Sequence, residues 1–301
     1  MNARDQLTAW GCRAGGWAAR KAPERIVAPT LRVVADRMWA GHGTGVSRLE
    51  ANLARAVPRA GHEELHELSR RAMRSYLRYW GELFRLPSWS AADIRSRVVT
   101  HDEHRLRDPL SAGRGVVAAL PHMGNWDLAG AWACAEGMPL TTVAERLSPE
   151  GLFDDFLRHR ETLGMTVLPL TGGPATMPIL ENLLRSGGFV CLLADRDLSR
   201  HAVTVRLLGE EARLPIGPAL LARRTGAVLL PVTSSYHDDH AMQLRFHEPV
   251  EVPDGDDGVL RATAGVAEVF GTAIARDPAD WHMLQRVFVD DFEARTAATG
   301  R

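Results

Sequence analysis

Among the side chains able to do chemistry, the most informative pair is His122 and Asp127, in Val116-Val117-Ala118-Ala119-Leu120-Pro121-His122-Met123-Gly124-Asn125-Trp126-Asp127. The stretch reads as strand, turn and helix start. In α/β sheets ligands bind where strands end at their carboxyl side, which is where His122 falls. Asp127 lies in the first turn of the following helix and could fold back toward the imidazole. A carboxylate accepting from Nδ1–H fixes the tautomer and stabilises the charged ring, leaving Nε2 to take a proton from a hydroxyl. Such general-base catalysis contributes roughly 10²–10⁴ in rate. The competing reading is structural. The chain has 12 histidines, so one His-x4-Asp pair is a weak motif by itself, and Asp127 would also serve as a favourable charge at a helix N-terminus.

Other chemistries lack their residues. There is no G-x-S-x-G elbow, no Walker A and no G-x-G-x-x-G. Thr171-Gly172-Gly173-Pro174 reads as a turn. Cys12, Cys134 and Cys191 are far apart and odd in number, which argues against a disulfide framework and fits a reducing cytoplasm. His237 and His240 lack a third zinc ligand at suitable spacing. Without a covalent nucleophile, His122 needs an acceptor hydroxyl and an already activated donor, which a thioester supplies.

The elements that must position these residues follow from periodicity. From about residue 114, β-rich runs alternate with helical ones. Strands are predicted at Val116–Leu120, Leu140–Ala144, Thr166–Leu170, Phe189–Leu193, Val203–Leu207, Val228–Val232 and Met242–Phe246. Helices are predicted at about Asn125–Ala135, Pro149–Leu163, Ala175–Arg185, Gly217–Thr225 and Val259–Arg276. The alternation predicts an α/β fold: a central, mostly parallel sheet of about seven strands flanked by helices. The first hundred residues read as helical, with runs at about Ile26–Trp39 and Glu63–Leu86. Leu7, Trp10, Ala14 and Trp17 share one face of an N-terminal helix with Arg4, Arg13, Arg20 and Lys21 nearby. Tryptophan with arginine on an amphipathic helix suits a bilayer interface, and equally suits packing on a core. The expected organisation is a single domain over 1–301, with a helical, basic, membrane-facing segment at 1–100 and a catalytic core at 101–301.

Composition narrows the class. The 301 residues are 45% hydrophobic and 24% charged, with a net charge of −1, which excludes long disorder and a bulk binder of nucleic acid. Neutrality conceals a gradient: residues 1–100 hold 17 basic against 9 acidic side chains, the remainder 19 against 28. A basic front half is attracted to negative surfaces such as phosphates or membrane. No apolar run approaches the roughly 18 residues that span a bilayer, and no secretory signal is apparent.

Several blocks together resemble a known family. The His-x4-Asp after a strand is similar to the signature of glycerolipid and lipid A acyltransferases. More specifically, a series of blocks resembles the phosphatidylinositol mannoside acyltransferase family. These blocks run from Arg78-Tyr79-Trp80 with Phe84-Arg85-Leu86-Pro87, through Leu120–Asp127 and Thr142–Leu147, to Arg160-Glu161, Val167–Gly173, Ala194–Leu198 and Asp280–Gln285. The resemblance implies transfer of a long-chain acyl group from acyl-CoA, a co-substrate rather than a cofactor, to a mannose hydroxyl of a phosphatidylinositol mannoside. It implies no metal or other cofactor, and action at the cytoplasmic face of the membrane without a spanning helix. It makes His122 the base and Asp127 its partner. Asp195 falls where the family usually has a catalytic-site glutamate. Arg160 matches an acyl-CoA-binding arginine, and His201 and Arg224 fall at two further donor-binding positions, usually serine and glutamate. Glu145 matches a carboxylate near the site. Arg196 is a further candidate for donor phosphates, and Trp126, Leu128 and Trp132 for an acyl tunnel. Backbone N–H groups at the helix start after His122 are the expected oxyanion donors. The alternatives are a lipid A-type late acyltransferase, another glycolipid acyltransferase, a thioesterase, and a silent acyl-CoA or lipid binder.

Overall fold

A computed structural model describes residues 20–144, 157–170, 176–197 and 202–292. The helices of the first third are α1 (Glu24–Ala40), α2 (Thr44–Ala56) and α3 (His62–Arg85). They match the helical reading, with α2 an addition to it. Short α4 (Ala91–Ser96) leads into strand β1 (Val98–His101) and α5 (His104–Ser111), and the alternation then begins. It runs β2 (Val116–Leu120), α6 (Trp126–Ala135), β3 (Leu140–Ala144), β4 (Thr166–Pro169), α7 (Thr176–Arg185) and β5 (Phe189–Leu193). A hairpin of β6 (Ala202–Leu207) and β7 (Glu210–Pro215) follows, then α8 (Gly217–Thr225), β8 (Val228–Tyr236), β9 (Met242–Phe246) and α9 (Gly258–Arg276).

Seven strands form one sheet in the order β1-β9-β8-β2-β5-β3-β4, every neighbour parallel except the antiparallel β8–β9 pair. The count agrees with the sequence reading, but the membership differs. The predicted strand at Val203–Leu207 pairs with β7 in a separate two-stranded sheet, turning at Leu208 and Gly209, both at positive φ. Its place in the main sheet is taken by β1, a four-residue edge strand too short to show a period. β2 sits at the centre, and all five of its residues are buried, the continuous apolar run expected of a parallel strand covered on both faces.

Successive β2 side chains alternate between two cores. Ala118 and Leu120 pack with α4, α5 and α6 on one face. Val117 packs with α7 and α8, and Ala119 with α9, on the other. α9 alone among the described helices is long and apolar enough to cross a membrane by length and composition. Half of its apolar window is buried inside the fold, where Phe270 and Ile274 fill one core. α3 passes the start of α6 and carries α1 on its outer side, where Gly81 leaves room for Leu31. The predicted N-terminal helix around Trp10 and Trp17, and most of the helix expected at Pro149–Leu163, lie outside the described residues; residues 157–162 are helical. Several bases of the front half are held in ion pairs: Arg70 and Arg74 share Asp36, and Arg97 meets Glu24.

Candidate active site

β2 delivers His122 to the carboxyl edge of the sheet, two residues beyond its last paired position. The neighbouring strand β5 delivers Asp195 in the same way. Leu120 is in register with Leu193, so the two residues beyond each strand leave the sheet side by side although 73 positions separate them. The Asp195 Oδ1 lies 2.6 Å from His122 Nδ1, and its Oδ2 accepts from the His122 backbone N–H at 2.8 Å and from Trp281 Nε1–H at 2.9 Å. Asp195 is fully buried. Burial alone would raise its pKa, but the His122 charge and these three donors outweigh burial and hold it below the usual carboxylate value. An ionised acceptor on Nδ1 leaves Nε2 as the free nitrogen of a ring whose side chain is 20% exposed.

The partner of His122 is therefore Asp195 and not Asp127, which corrects the reading from spacing. The turn explains why. Gly124 has φ +59, with Ser234 packed where a Cβ would project. Asn125 caps α6, its Oδ1 accepting from Leu128 N–H at 2.9 Å while its Nδ2 donates to Glu82 at 2.8 Å. The helix then starts with Trp126 edge-on to the imidazole, ring centroids 5.2 Å apart. One residue further round, Asp127 faces away, toward α3. There it accepts from Tyr79 O–H at 2.9 Å and from Arg160 Nε and Nη2 at 2.6 and 3.2 Å. Burial would lower the Arg160 pKa, but Asp127 outweighs it and the guanidinium is held firmly charged. Burial pushes the Tyr79 phenol well above its usual value. Arg160 lines the same cavity as His122, yet its hydrogen bonds go to Asp127. This is a partly buried ion pair at the cavity wall.

The turn's amides are also spoken for. His122 N–H goes to Asp195, Met123 N–H to Pro121 O at 2.7 Å, and Gly124 N–H to Asp280 O at 2.9 Å. These three turn amides are not free to act as oxyanion donors; the expected donors lie further on, at the start of α6. The partner of the turn is the segment Asp280-Trp281-His282. Besides the Gly124 bond, His282 N–H donates to His122 O at 2.8 Å, and Met123 and Trp281 form an isolated antiparallel bridge. The sequence marked this segment as a block but gave no role to Trp281, Tyr79 or His282. An indole N–H can find a buried carboxylate anywhere in the fold, so spacing carries no signal for it.

A cavity of about 1070 Å³ opens beside His122 and runs beneath α6. One helical stripe of α6 forms its roof: Trp126 near the histidine, then Ala129, Gly130 and Ala133. A helix on a sheet ordinarily fills such a stripe with large side chains. Ala129 and Ala133 leave space on this stripe facing Leu140 and Phe189, while Met165 packs against Gly130, its Sδ 2.9 Å from where a Cβ would stand. Trp132 also lines the cavity, whereas Leu128 packs into the solid core. The walls are mostly apolar with a few convergent polar groups, the usual composition of a site for an apolar ligand. Arg196 and Arg224 line it too. Arg224 has a half-exposed side chain paired with Glu181 at 2.9 Å. Glu145 and His201 lie outside the described residues.

Most of the chain carries a family signature consistent with this geometry. Residues 2–289 match the family model described as bacterial lipid A biosynthesis acyltransferase. The chain belongs to that family. It is an acyltransferase, and its α/β architecture with a helical front segment agrees with that membership. Among its relatives is a protein of Mycolicibacterium smegmatis named phosphatidylinositol mannoside acyltransferase. The two are 40% identical over 297 residues, covering 98% of this chain and 96% of the relative. A protein of the same name from Mycobacterium tuberculosis is 42% identical over 297 residues, covering 96% and 92%. Among the described residues, no group of histidine, cysteine and acidic side chains could hold a metal ion.

Proposed function

We propose that the acyltransferase moves a long-chain, palmitoyl-like group from acyl-CoA to a mannose hydroxyl of a phosphatidylinositol mannoside. The observation that carries this reading is the imidazole of His122, backed by Asp195, at the side of an apolar cavity of about 1070 Å³. The names of the relatives supply the acceptor class.

The chemistry follows from the atoms. The acyl chain lies under α6 with its thioester carbonyl beside His122. Nε2 takes the proton of the sugar hydroxyl as that oxygen attacks the carbonyl carbon. The ionised Asp195 stabilises the imidazolium so formed, through Nδ1–H. The tetrahedral adduct collapses, the carbon–sulfur bond breaks, and the leaving thiolate takes the proton back from Nε2. The products are the ester and CoA thiol, and the histidine ends as it began. Arg196 and Arg224, which line the cavity, would meet donor phosphates by charge-assisted hydrogen bonds, Arg224 by exchanging its pairing with Glu181. Asp127 and Arg160 hold the start of α6.

The acceptor sits in a bilayer, so the protein acts at the cytoplasmic membrane surface. Support comes from α1, which turns Ile26 and Val33 outward on one face, with Met38 also exposed and Arg25 and Arg37 on the same helix. Replacing Ile26 and Val33 by aspartate should weaken sedimentation with anionic vesicles, and unchanged sedimentation would place the contact elsewhere.

The reading is tested with purified protein and palmitoyl-CoA. CoA thiol release should accelerate when mannosylated phosphatidylinositol is added, with a new acylated lipid in the mass spectrum. Equal release with and without acceptor would mean a thioesterase, and no release a binding protein.

A further inference from the structure

The walls of the cavity beside His122 differ in exposure. Under α6 the lining is closed off: Ala129, Ala133, Leu140 and Phe189 are all buried. The acceptor arrives from outside, so the wall that receives it has to be partly open. Some of the partly exposed lining is charged, as at Arg224 on α8, which packs with α7 on the other face of the sheet. The part on α3 carries no charge. Tyr76 and Trp80, one turn apart, line the cavity there while only half-buried, and the exposed Gln285 lines it as well.

This wall is built before any ligand arrives. Ser75 ties α3 to the segment that ends in Gln285: its O–H donates to Asp280 Oδ1 at 2.6 Å, and its Oγ lies 2.9 Å from His282 Nε2. Trp80 is held among other rings, perpendicular to Tyr76 at 6.1 Å between centroids, edge-on to Tyr79 at 5.5 Å and tilted to Phe84 at 6.0 Å. Tyr79 in turn lies 4.1 Å from Trp126, the ring that stands edge-on to His122. The aromatic run therefore leads from the open wall to the catalytic imidazole. A large side chain already fixed in place loses little freedom when a ligand settles on it.

A pyranose ring presents C–H groups on one face and hydroxyls around its edge. The C–H groups carry partial positive charge, which the electron-rich face of an indole attracts. A side-chain amide offers both a donor and an acceptor to the hydroxyls. We propose that Trp80, with Tyr76 beside it, is the platform on which a mannose ring of the acceptor stacks, and that Gln285 meets one of its hydroxyls. The inference rests on the mannoside reading above and names the residues that would recognise that sugar.

The test compares Trp80→Leu with Trp80→Phe. Stacking holds the acceptor before and during reaction alike, so its loss raises KM and spares kcat. In Trp80→Leu the KM for mannosylated phosphatidylinositol in detergent should rise about tenfold. Trp80→Phe keeps a flat ring and should recover most of that loss. Gln285→Leu should raise the same KM by a smaller factor. In all three the KM for palmitoyl-CoA should stay within about twofold, because uniform binding of the acceptor alone is lost. In the natural chain, saturation of the aromatic protons should pass chiefly to the mannose C–H protons of the deacylated head group, measured by saturation-transfer NMR. An unchanged acceptor KM in Trp80→Leu, or saturation that reaches glycerol and sugar protons evenly, would overturn the platform. A rise in the donor KM instead would assign the ring to the adenine of CoA. Weaker sedimentation with vesicles at an unchanged acceptor KM would make it a bilayer contact, and either result overturns the proposal. Failure of the natural chain to acylate any mannoside would overturn the acceptor reading, and this inference with it.

Discussion

Two buried aspartates stand on either side of the His122 turn, and their surroundings set them to different tasks. At the strand end, Asp195 meets a titratable imidazole and an indole N–H, with only the His122 backbone adding a third donor. At the helix start, Asp127 meets a guanidinium that never gives up its proton, and a phenol. The first pair can change its protonation during a reaction, and the second cannot. The His-x4-Asp spacing singles out the second carboxylate, while the one in contact with the imidazole is the first.

Substitutions can break that contrast or sharpen it. The largest effect is expected for His122→Ala, a loss of about 10³-fold or more in kcat with the fold retained, measured by thiol release and circular dichroism. Asp195→Asn should follow with a loss of about 10²-fold, since an amide at Nδ1 no longer favours the imidazolium. Asp127→Asn should behave in the opposite manner. It leaves Arg160 charged and buried without its counter-ion, so thermal unfolding should register about 3–5 kcal/mol, while the folded fraction keeps kcat within about tenfold. Asp127→Asn with Arg160→Met should regain stability over the single variant. Equal activity losses for Asp127→Asn and Asp195→Asn would erase the distinction. Trp281→Phe removes one of three donors to Asp195 and should cost only a few-fold in kcat, seen as a small change in the pH–rate profile.

The smallest effect concerns a histidine remote from the site. His247 lies 2.7 Å from Thr233 Oγ1, and burial holds its pKa down to about 4. The unfolded chain binds that proton near pH 6.5 and the folded chain does not. The stability from this residue is complete above about pH 6.5 and drains away as pH falls toward about 4. His247→Gln keeps a partner for Thr233 and should flatten the acid limb of a chemical-denaturation series by about 1–2 kcal/mol.

Much of the fold was legible. β2, β3, β5 and β9 begin and end where the apolar runs do, and α6, α7, α8 and α9 start within a residue of their expected positions. Those elements are long enough to show a period or carry Gly, Pro and Asn punctuation at their ends. β1 escaped because Val98–His101 is only four residues long, and β7 because three of the six residues of Glu210–Pro215 are charged and it ends on proline. In the site, His122 was visible because a histidine directly after a buried strand is conspicuous. Asp195 was visible only through family resemblance, which places the longer glutamate there; in the structure the aspartate's Oδ1 reaches Nδ1 at 2.6 Å. Ser75, Asp280 and His282 belong to segments about two hundred positions apart, and no local rule joins them.

The amino-acid order alone determined that this chain alternates strand and helix and that a histidine follows close on a wholly apolar strand. Those features depend on neighbours within a few residues, which any chain of this order possesses before it folds. Which carboxylate braces the histidine was decided only when β5 took its place beside β2. Strand order is a property of the whole sheet, set by how every apolar face finds cover, and it brought together two side chains that have no relation along the chain.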